Sequence, residues 1–282
     1  MIPRIGGQAV LEGVMLKSEE MMAVAVRKKD GEIATKKKEL LPFSKRAFFM
    51  RMPFVRGFFQ LFSLLILGFE ALKFSVNVLE EEEETQNNWV FAASAVVAIL
   101  FTILFFFILP LVLTQLAMRY FVFLQHPFWF NFYEGVIRVA IFLLYLLSIS
   151  LLSDIKRFFE YHGAEHKVIA AYENGDELIP EKVAKYSRFH PRCGTSFLIL
   201  VVLVSILFFS VIRPEHIVGK VLLRLIAFPV LAGFIYELLK LEKYSFCKIL
   251  FYPGLLLQRI TTREPNLEQI EVAIKAFENL KK

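Results

Sequence analysis

The chain has 282 residues, 56% of them hydrophobic, with a mean hydropathy of +0.54. Soluble domains sit near roughly 45–50% apolar, so the composition excludes an ordinary soluble enzyme and indicates a polytopic membrane protein. The formal charge of +6 fits basic loops flanking membrane spans. No aromatic–basic interleaving points to nucleic acid, which is not an expected partner.

The opening "MIPRIGGQAVLEGVM" has no apolar run after a basic start, so it does not read as a signal peptide and the N-terminus is not expected to be exported. Residues 1–46 are not membrane-like. "MMAVAVRKKDGEIATKKKEL" alternates around Asp30-Gly31, a strong turn signal. It predicts a small β-hairpin on the membrane surface, with "IGGQAVLEGVM" as a candidate further strand. Residues 47–79 carry Arg51, Arg56, Glu70 and Lys73, and only 57–69 is free of charge. That is short of the roughly 20 residues a span needs, so an interfacial or re-entrant helix is expected. The acidic run after it reads as a solvated linker.

A transmembrane bundle is expected over 85–239. Residues 85–118 hold no charged side chain and give the clearest span, with a kink expected at Pro110. Further spans are expected over 134–153, 195–212 and 218–239. The second places Glu134 and Arg138 four apart, at pairing distance on a helix. Arg224 lies near the start of the fourth, and Pro229 lies inside it. The region 240–282 begins half-apolar and ends in a segment whose Leu267, Ile270, Ile274 and Phe277 fall at helical spacing, an amphipathic helix docking on the cytoplasmic part. Within "TTREP", Thr261 or Thr262 would end one segment and Pro265 would open the last helix. The fold class is therefore mainly α, with about four spans, one interfacial or re-entrant helix and a small N-terminal hairpin.

Lys and Arg number twelve in 1–60, seven in 154–193, eight from 240 onward and one in 114–133. The positive-inside rule then puts the N-terminus, the 154–193 loop and the tail in the cytoplasm. With only Cys193 and Cys247, a disulfide framework is excluded and a reducing face fits. His126 and His216 fall on the opposite face and read as structural.

The 154–193 loop holds the chemistry. In "YHGAEHK", His162 and His166 are four apart, so on a helix both imidazoles leave one face, with Glu165 beside them. H-x-x-E-H is the reversed zincin arrangement, two metal-binding histidines and a glutamate that activates water. Glu173 lies two turns on, close to the same stripe. "RFHPRCGTSF" adds His190 and Cys193 in a tight turn, where Gly194 would permit an unusual φ and backbone N–H groups would point at the sulfur. Two metal sites are open. A closed His₃Cys set of His162, His166, His190 and Cys193 would be structural; three ligands with Glu165 free would be catalytic. The plain alternative is a solvated helix with a packed cysteine. A third chemistry makes Cys193 a nucleophile whose pKa is lowered by Arg192, His190 and a helix N-terminus. In "GGQAVLEGVM", Gly6, Gly7, Gln8 and Glu12 are either a functional loop or a pair of tight turns.

Together, "IGGQAVLEGVM", "YHGAEHKVIAAYE", "SRFHPRCGTSF" and "QRITTREPNLEQIEVAI" resemble the YqhQ family across nearly the whole chain. The resemblance implies a bacterial inner-membrane, multi-pass protein of a group described as metal-dependent enzymes, and it raises the interest of Gly6, Gly7, Gln8 and Glu12. Two functions compete. One is a hydrolase acting on a lipid or other membrane-borne substrate, with Zn²⁺ or another divalent transition metal and Glu165 as base. The other is a non-enzymatic assembly factor, scaffold or transporter subunit, bound to a protein partner, whose zinc only holds a loop.

Overall fold

A computed structural model describes residues 5–42, 47–80, 88–211, 217–243 and 248–281. His216, Cys247, Arg213 and the acidic run 81–84 lie outside the described residues.

The N-terminal region forms a four-stranded antiparallel meander in the order β1 (Gly6–Val10), β2 (Gly13–Lys17), β3 (Met21–Arg27) and β4 (Ile33–Glu39). The Asp30-Gly31 hairpin is present, joining β3 to β4, with Gly31 at φ +93° and Asp30 Oδ1 accepting the Glu32 N–H at 2.9 Å. The expectation of one hairpin falls short, because "GGQAVLEGVM" supplies two complete strands. Their connection is the two-residue turn Leu11-Glu12, with Glu12 at φ 51°. Both faces of this sheet are covered. Ala9, Val14, Leu16, Ala23 and Ala25 pack against helices from later in the chain. Val10, Met15, Met22, Val24 and Val26 face the other way, toward Leu67 and Ala71. A strand buried on both sides reads as a nearly continuous apolar run, which is the character of β3. The lysines of β4 decorate an edge, where charge discourages further strand pairing.

α1 (Val55–Glu80) is one continuous helix of 26 residues. Its second half carries Leu67 and Ala71 onto the sheet, where Lys38 pairs with Glu70 at 2.6 Å. Its first half crosses α8 (Ile217–Leu239). There Arg56 pairs with Glu237 at 2.6 Å, and Gly57 lies against Gly233, with no space for a Cβ between the backbones. By length and composition α1 can cross a membrane, as can 92–117, 127–149 and 221–239. The expected third span, 195–212, is the apolar helix Gly194–Val211, whose far end adjoins residues outside the described ones. The set of long apolar helices thus gains α1, which was expected to be interfacial or re-entrant.

α2 (Asn88–Ile103) runs through a π-turn at Leu104–Ile108 into α3 (Leu109–Ala117). Pro110 sits where a kink was expected. It has no N–H to offer the Phe106 carbonyl four residues earlier, and Arg138 Nε donates to that oxygen at 3.0 Å. α4 (Pro127–Ile149) begins seven residues before the expected span, with proline at its first position and exposed His126 just ahead. Most of the expected 154–193 loop is helical: α5 (Ser153–Glu173) and the short α6 (Pro180–Val183) precede α7 (Gly194–Val211).

α9 (Lys248–Thr261) leads to α10 (Leu267–Lys281). Asn266, not Pro265, starts α10. Asn266 Oδ1 accepts the Gln269 N–H at 2.8 Å while Gln269 Oε1 accepts the Asn266 N–H at 2.9 Å, a reciprocal cap. Ile270, Ile274 and Phe277 are buried on the sheet and α5, as their spacing predicts, whereas Leu267 is exposed.

The α1–α8 crossing gives a direct test of the packing. A Cβ at Gly233 would collide with the Phe54 carbonyl oxygen, a backbone atom that cannot swing aside. Gly233→Ala should lower the thermal unfolding midpoint of detergent-purified protein, corresponding to about 1–3 kcal/mol of overpacking. Gly31→Ala, with open space around it, should lose only the smaller amount set by its positive φ.

Candidate metal centre

The H-x-x-E-H segment lies in the middle of α5, and helical spacing brings the two imidazoles together: the His162 and His166 ring centroids are 4.5 Å apart. Cys193 approaches from the turn just before α7, its Sγ 3.1 Å from His162 Nε2. Donor atoms of His162, His166 and Cys193 all lie within 4.8 Å of one another. Three ligands around a tetrahedral Zn²⁺, at about 2.0–2.1 Å for nitrogen and about 2.3 Å for sulfur, stand about 3.3–3.6 Å apart, so the three donors are gathered to within about an ångström of such a site.

The ring tautomers follow from backbone carbonyls, which only accept. His162 Nδ1 donates to the Thr261 oxygen at 2.8 Å, and His166 Nδ1 donates to the Arg188 oxygen at 2.6 Å. Each Nε2 of a neutral ring is therefore an unprotonated lone pair. His162 Nε2 faces the thiol. His166 Nε2 is sealed from solvent and has no hydrogen-bond partner among the described residues. A buried acceptor without a donor costs free energy, and a cation at the cluster would satisfy it. The donor set and the orphaned nitrogen fit a divalent transition metal.

Cys193 is held by its own helix start, with the Thr195 N–H donating to Sγ at 3.4 Å and Thr195 Oγ1 at 3.2 Å. The expected N–H-to-sulfur contact is present. The expected special φ at Gly194 is not: among the described glycines only Gly31 and Gly175 have positive φ. Burial raises the Cys193 thiol pKa against the hydrogen bonds from Thr195 and Ser196, the opposite of the depression a nucleophile needs. Burial, then the neighbouring His162, keeps the His166 pKa well below the ordinary histidine value, so this ring stays neutral. Glu165 lies in the same buried layer. Burial is the largest cause of its carboxyl being pushed up to about 8; His162 acts in the opposite sense and Cys193 adds to the rise.

His190 is not one of the three gathered donors, although its ring centroid lies 5.7 Å from that of His166. Its Nε2 faces Glu173 Oε2 at 3.4 Å, and Glu173 Oε1 pairs with Arg192. Glu173 and Arg192 thus form a lateral clamp rather than part of the cluster. The His190 backbone is gripped at both polar atoms by Gln258, whose Oε1 accepts its N–H and whose Nε2 donates to its carbonyl, both at 2.8 Å.

The N-terminal glycine motif braces the same helix. A Cβ at Gly7 would lie 2.6 Å from the Met15 oxygen and 3.0 Å from Glu165 Oε1, so only glycine lets β1 pass this close to the carboxylate. Glu12 reaches α5, pairing with Arg157 (Nη2 to Oε2, 2.6 Å) and accepting the Tyr161 hydroxyl at 3.2 Å. Gln8 lies over Gly68 of α1, where a Cβ would meet its Nε2 at 2.5 Å. Gly6 is exposed, pairs with Lys17 across the strands and has open space where a side chain would stand. Two contributors carried no signal by residue type. Thr261 acts through its carbonyl, and Gly163 touches the Arg263 backbone with no space for a side chain. Gln258, which follows the apolar run Leu255–Leu257 and precedes Arg259, offered only the end of that run.

A family whose description is "Protein of unknown function (DUF1385)" matches residues 52–282. The "Uncharacterized protein YqhQ" of Bacillus subtilis (strain 168) is 32% identical over 296 aligned positions, covering 99% of this chain and 92% of that protein. No solved structure matches.

A raised carboxyl pKa has a definite consequence for the metal-free protein. Glu165 favours the folded state while it keeps its proton, so its contribution is complete below the ordinary glutamate value of 4.5 and is lost as pH climbs toward about 8. Glu165→Gln removes that dependence. In thermal melts of metal-free protein, the stability of Glu165→Gln relative to wild type should rise between about pH 4.5 and 8 and level off above. A difference that is flat across this window would place the carboxylate in contact with solvent.

Proposed function

The chain belongs to the DUF1385 family, and we propose that it is a membrane-embedded, metal-dependent hydrolase working where the apolar helices meet the polar layer. The reading rests on one observation, the orphaned, buried Nε2 of His166 set beside His162 and Cys193. His162, His166 and Cys193 would hold Zn²⁺ or a related divalent transition ion. Three protein donors leave a coordination position for substrate or water. When bound, such an ion polarises a carbonyl or phosphoryl oxygen and acidifies water.

The remaining work falls to the chain itself. Thr261 and Arg188 hold the two rings in the tautomer that turns Nε2 inward. With a cation's charge beside it to favour the ionised form, Glu165 would be the proton acceptor at the carboxylate and would return the proton to the leaving group. Gly7 keeps the wall beside it free of side chain and helps exclude water. Glu173, Arg192 and Gln258 hold the turn that carries Cys193. The site adjoins the first residue of apolar α7, so its natural substrate is a lipid or another membrane-borne molecule. The positive-inside count supports placing this layer, and both termini, in the cytoplasm of a bacterial inner-membrane protein.

Elemental analysis of full-length protein purified in detergent should find about one transition metal per chain. His166→Ala should lose most of it. Glu165→Gln should keep the metal and lose roughly 100-fold or more of the hydrolysis of lipid-ester and peptide probes presented in vesicles. Wild type without stoichiometric metal would end the proposal. Full turnover by Glu165→Gln would reduce the ion to a loop fastener.

A further inference from the structure

A second constellation of charge lies within the bundle, remote from the histidines. Glu134 and Arg138 on α4 and Arg224 on α8 are 1%, 7% and 2% exposed. Arg138 Nη2 pairs with Glu134 Oε1, and Arg224 Nη2 donates to Glu134 Oε2 at 2.6 Å. Arg138 also reaches the Phe106 oxygen and Ser205 Oγ, at 3.0 and 3.3 Å. One carboxylate therefore serves two guanidinium groups, and the cluster carries a net charge of +1. Arg224 Nη1 is sealed from solvent and has no hydrogen-bond partner among the described residues, the guanidinium lying 5.5 Å over the Phe209 ring. An unbalanced charge in an apolar bundle is strongly disfavoured, and intramembrane ionisable groups mark ligand sites more often than they mark packing.

The depth of the cluster indicates what would balance it. Glu134 and Arg224 each lie about 10 Å along the axis from the start of their helices and about 22 Å from the ends nearer α5 and the sheet. Trp129, Phe132 and Tyr133, all exposed on the turn leading to Glu134, form an aromatic girdle. Such residues sit at headgroup level, the level of lipid phosphate. A guanidinium fork matches the oxygens of a phosphate. A phosphodiester carries a single negative charge, equal and opposite to the charge of the cluster.

We propose that Glu134, Arg138 and Arg224 form an anion site for a singly charged phosphate, supplied by a phospholipid of the leaflet opposite the sheet. The test uses full-length, delipidated protein in detergent, titrated separately with phosphatidylglycerol, with diacylglycerol, which lacks the phosphate, and with inorganic phosphate. Phosphatidylglycerol should raise the thermal midpoint and remain bound at one per chain in native mass spectra, and diacylglycerol should do neither. A response to inorganic phosphate alone would assign the site to the free ion. Arg224→Gln, which leaves a neutral Glu134–Arg138 pair, should bind phosphatidylglycerol roughly tenfold or more weakly, while Lys37→Gln on the exposed edge strand should bind as wild type does. No response of wild type to either phosphate source overturns the proposal, whether or not the variant folds. Equal binding by wild type and Arg224→Gln overturns it as well.

Discussion

Two backbone carbonyls decide what the histidines of this protein can do. The carbonyls of Thr261 and Arg188 each accept a hydrogen bond from an Nδ1–H, which leaves both Nε2 lone pairs on the side of Cys193. The carbonyls are held in turn. Thr262 Oγ1 and Gln258 secure the end of α9, and the Arg263 N–H donates to the Phe159 oxygen at 2.9 Å, tying the α9–α10 link to α5. Gly163 lets that link lie directly on the helix. The C-terminal region is therefore part of the site, although none of its side chains is a ligand. A neutral, buried, directionally anchored imidazole is the form a metal requires.

The small sheet brings the N-terminus to the same place. Because both of its faces are covered, it can stand between α1 and the α5–α10 pair only if its strands approach helices closely. Alanines at 9, 23 and 25 and glycine at 7 provide that closeness. The consequence is chemical as well as steric. β1 closes over Glu165 and takes its carboxylate out of water, and burial is the main cause of its raised pKa. The Glu12 contact with Arg157 and Tyr161 locks the register between sheet and helix.

The membrane portion follows a different economy of polar groups. Pro110 leaves the Phe106 carbonyl without its helical donor, and the guanidinium of Arg138 fills the gap. The same arginine pairs with Glu134, whose other carboxylate oxygen accepts from Arg224 and so links α4 to α8. A helix irregularity and a charged cluster that look unrelated along the chain are thus one feature in space.

Period and composition were sufficient for several local features. The Asp30-Gly31 hairpin, the Glu134–Arg138 pair, the amphipathic last helix and the shared face of His162 and His166 all depend on interactions within a few residues of one another. Sequence patterning carries that information directly. The family motifs in "IGGQAVLEGVM" and "QRITTREPNLEQIEVAI" marked regions of interest without revealing their roles. Those roles depend on backbone atoms and on residues more than a hundred positions apart. Only the folded chain could show that Cys193 comes closer to the His162–His166 donors than His190 does, because the two share one short turn and either is a chemically sound ligand. Only the folded chain could show that Gly7 faces Glu165 and that Thr261 steers His162. What the sequence by itself determined was the set of groups available and the local geometry that presents them. Which of those groups meet was decided by tertiary packing, since burial and the demand that every buried polar atom find a partner are properties of the whole fold.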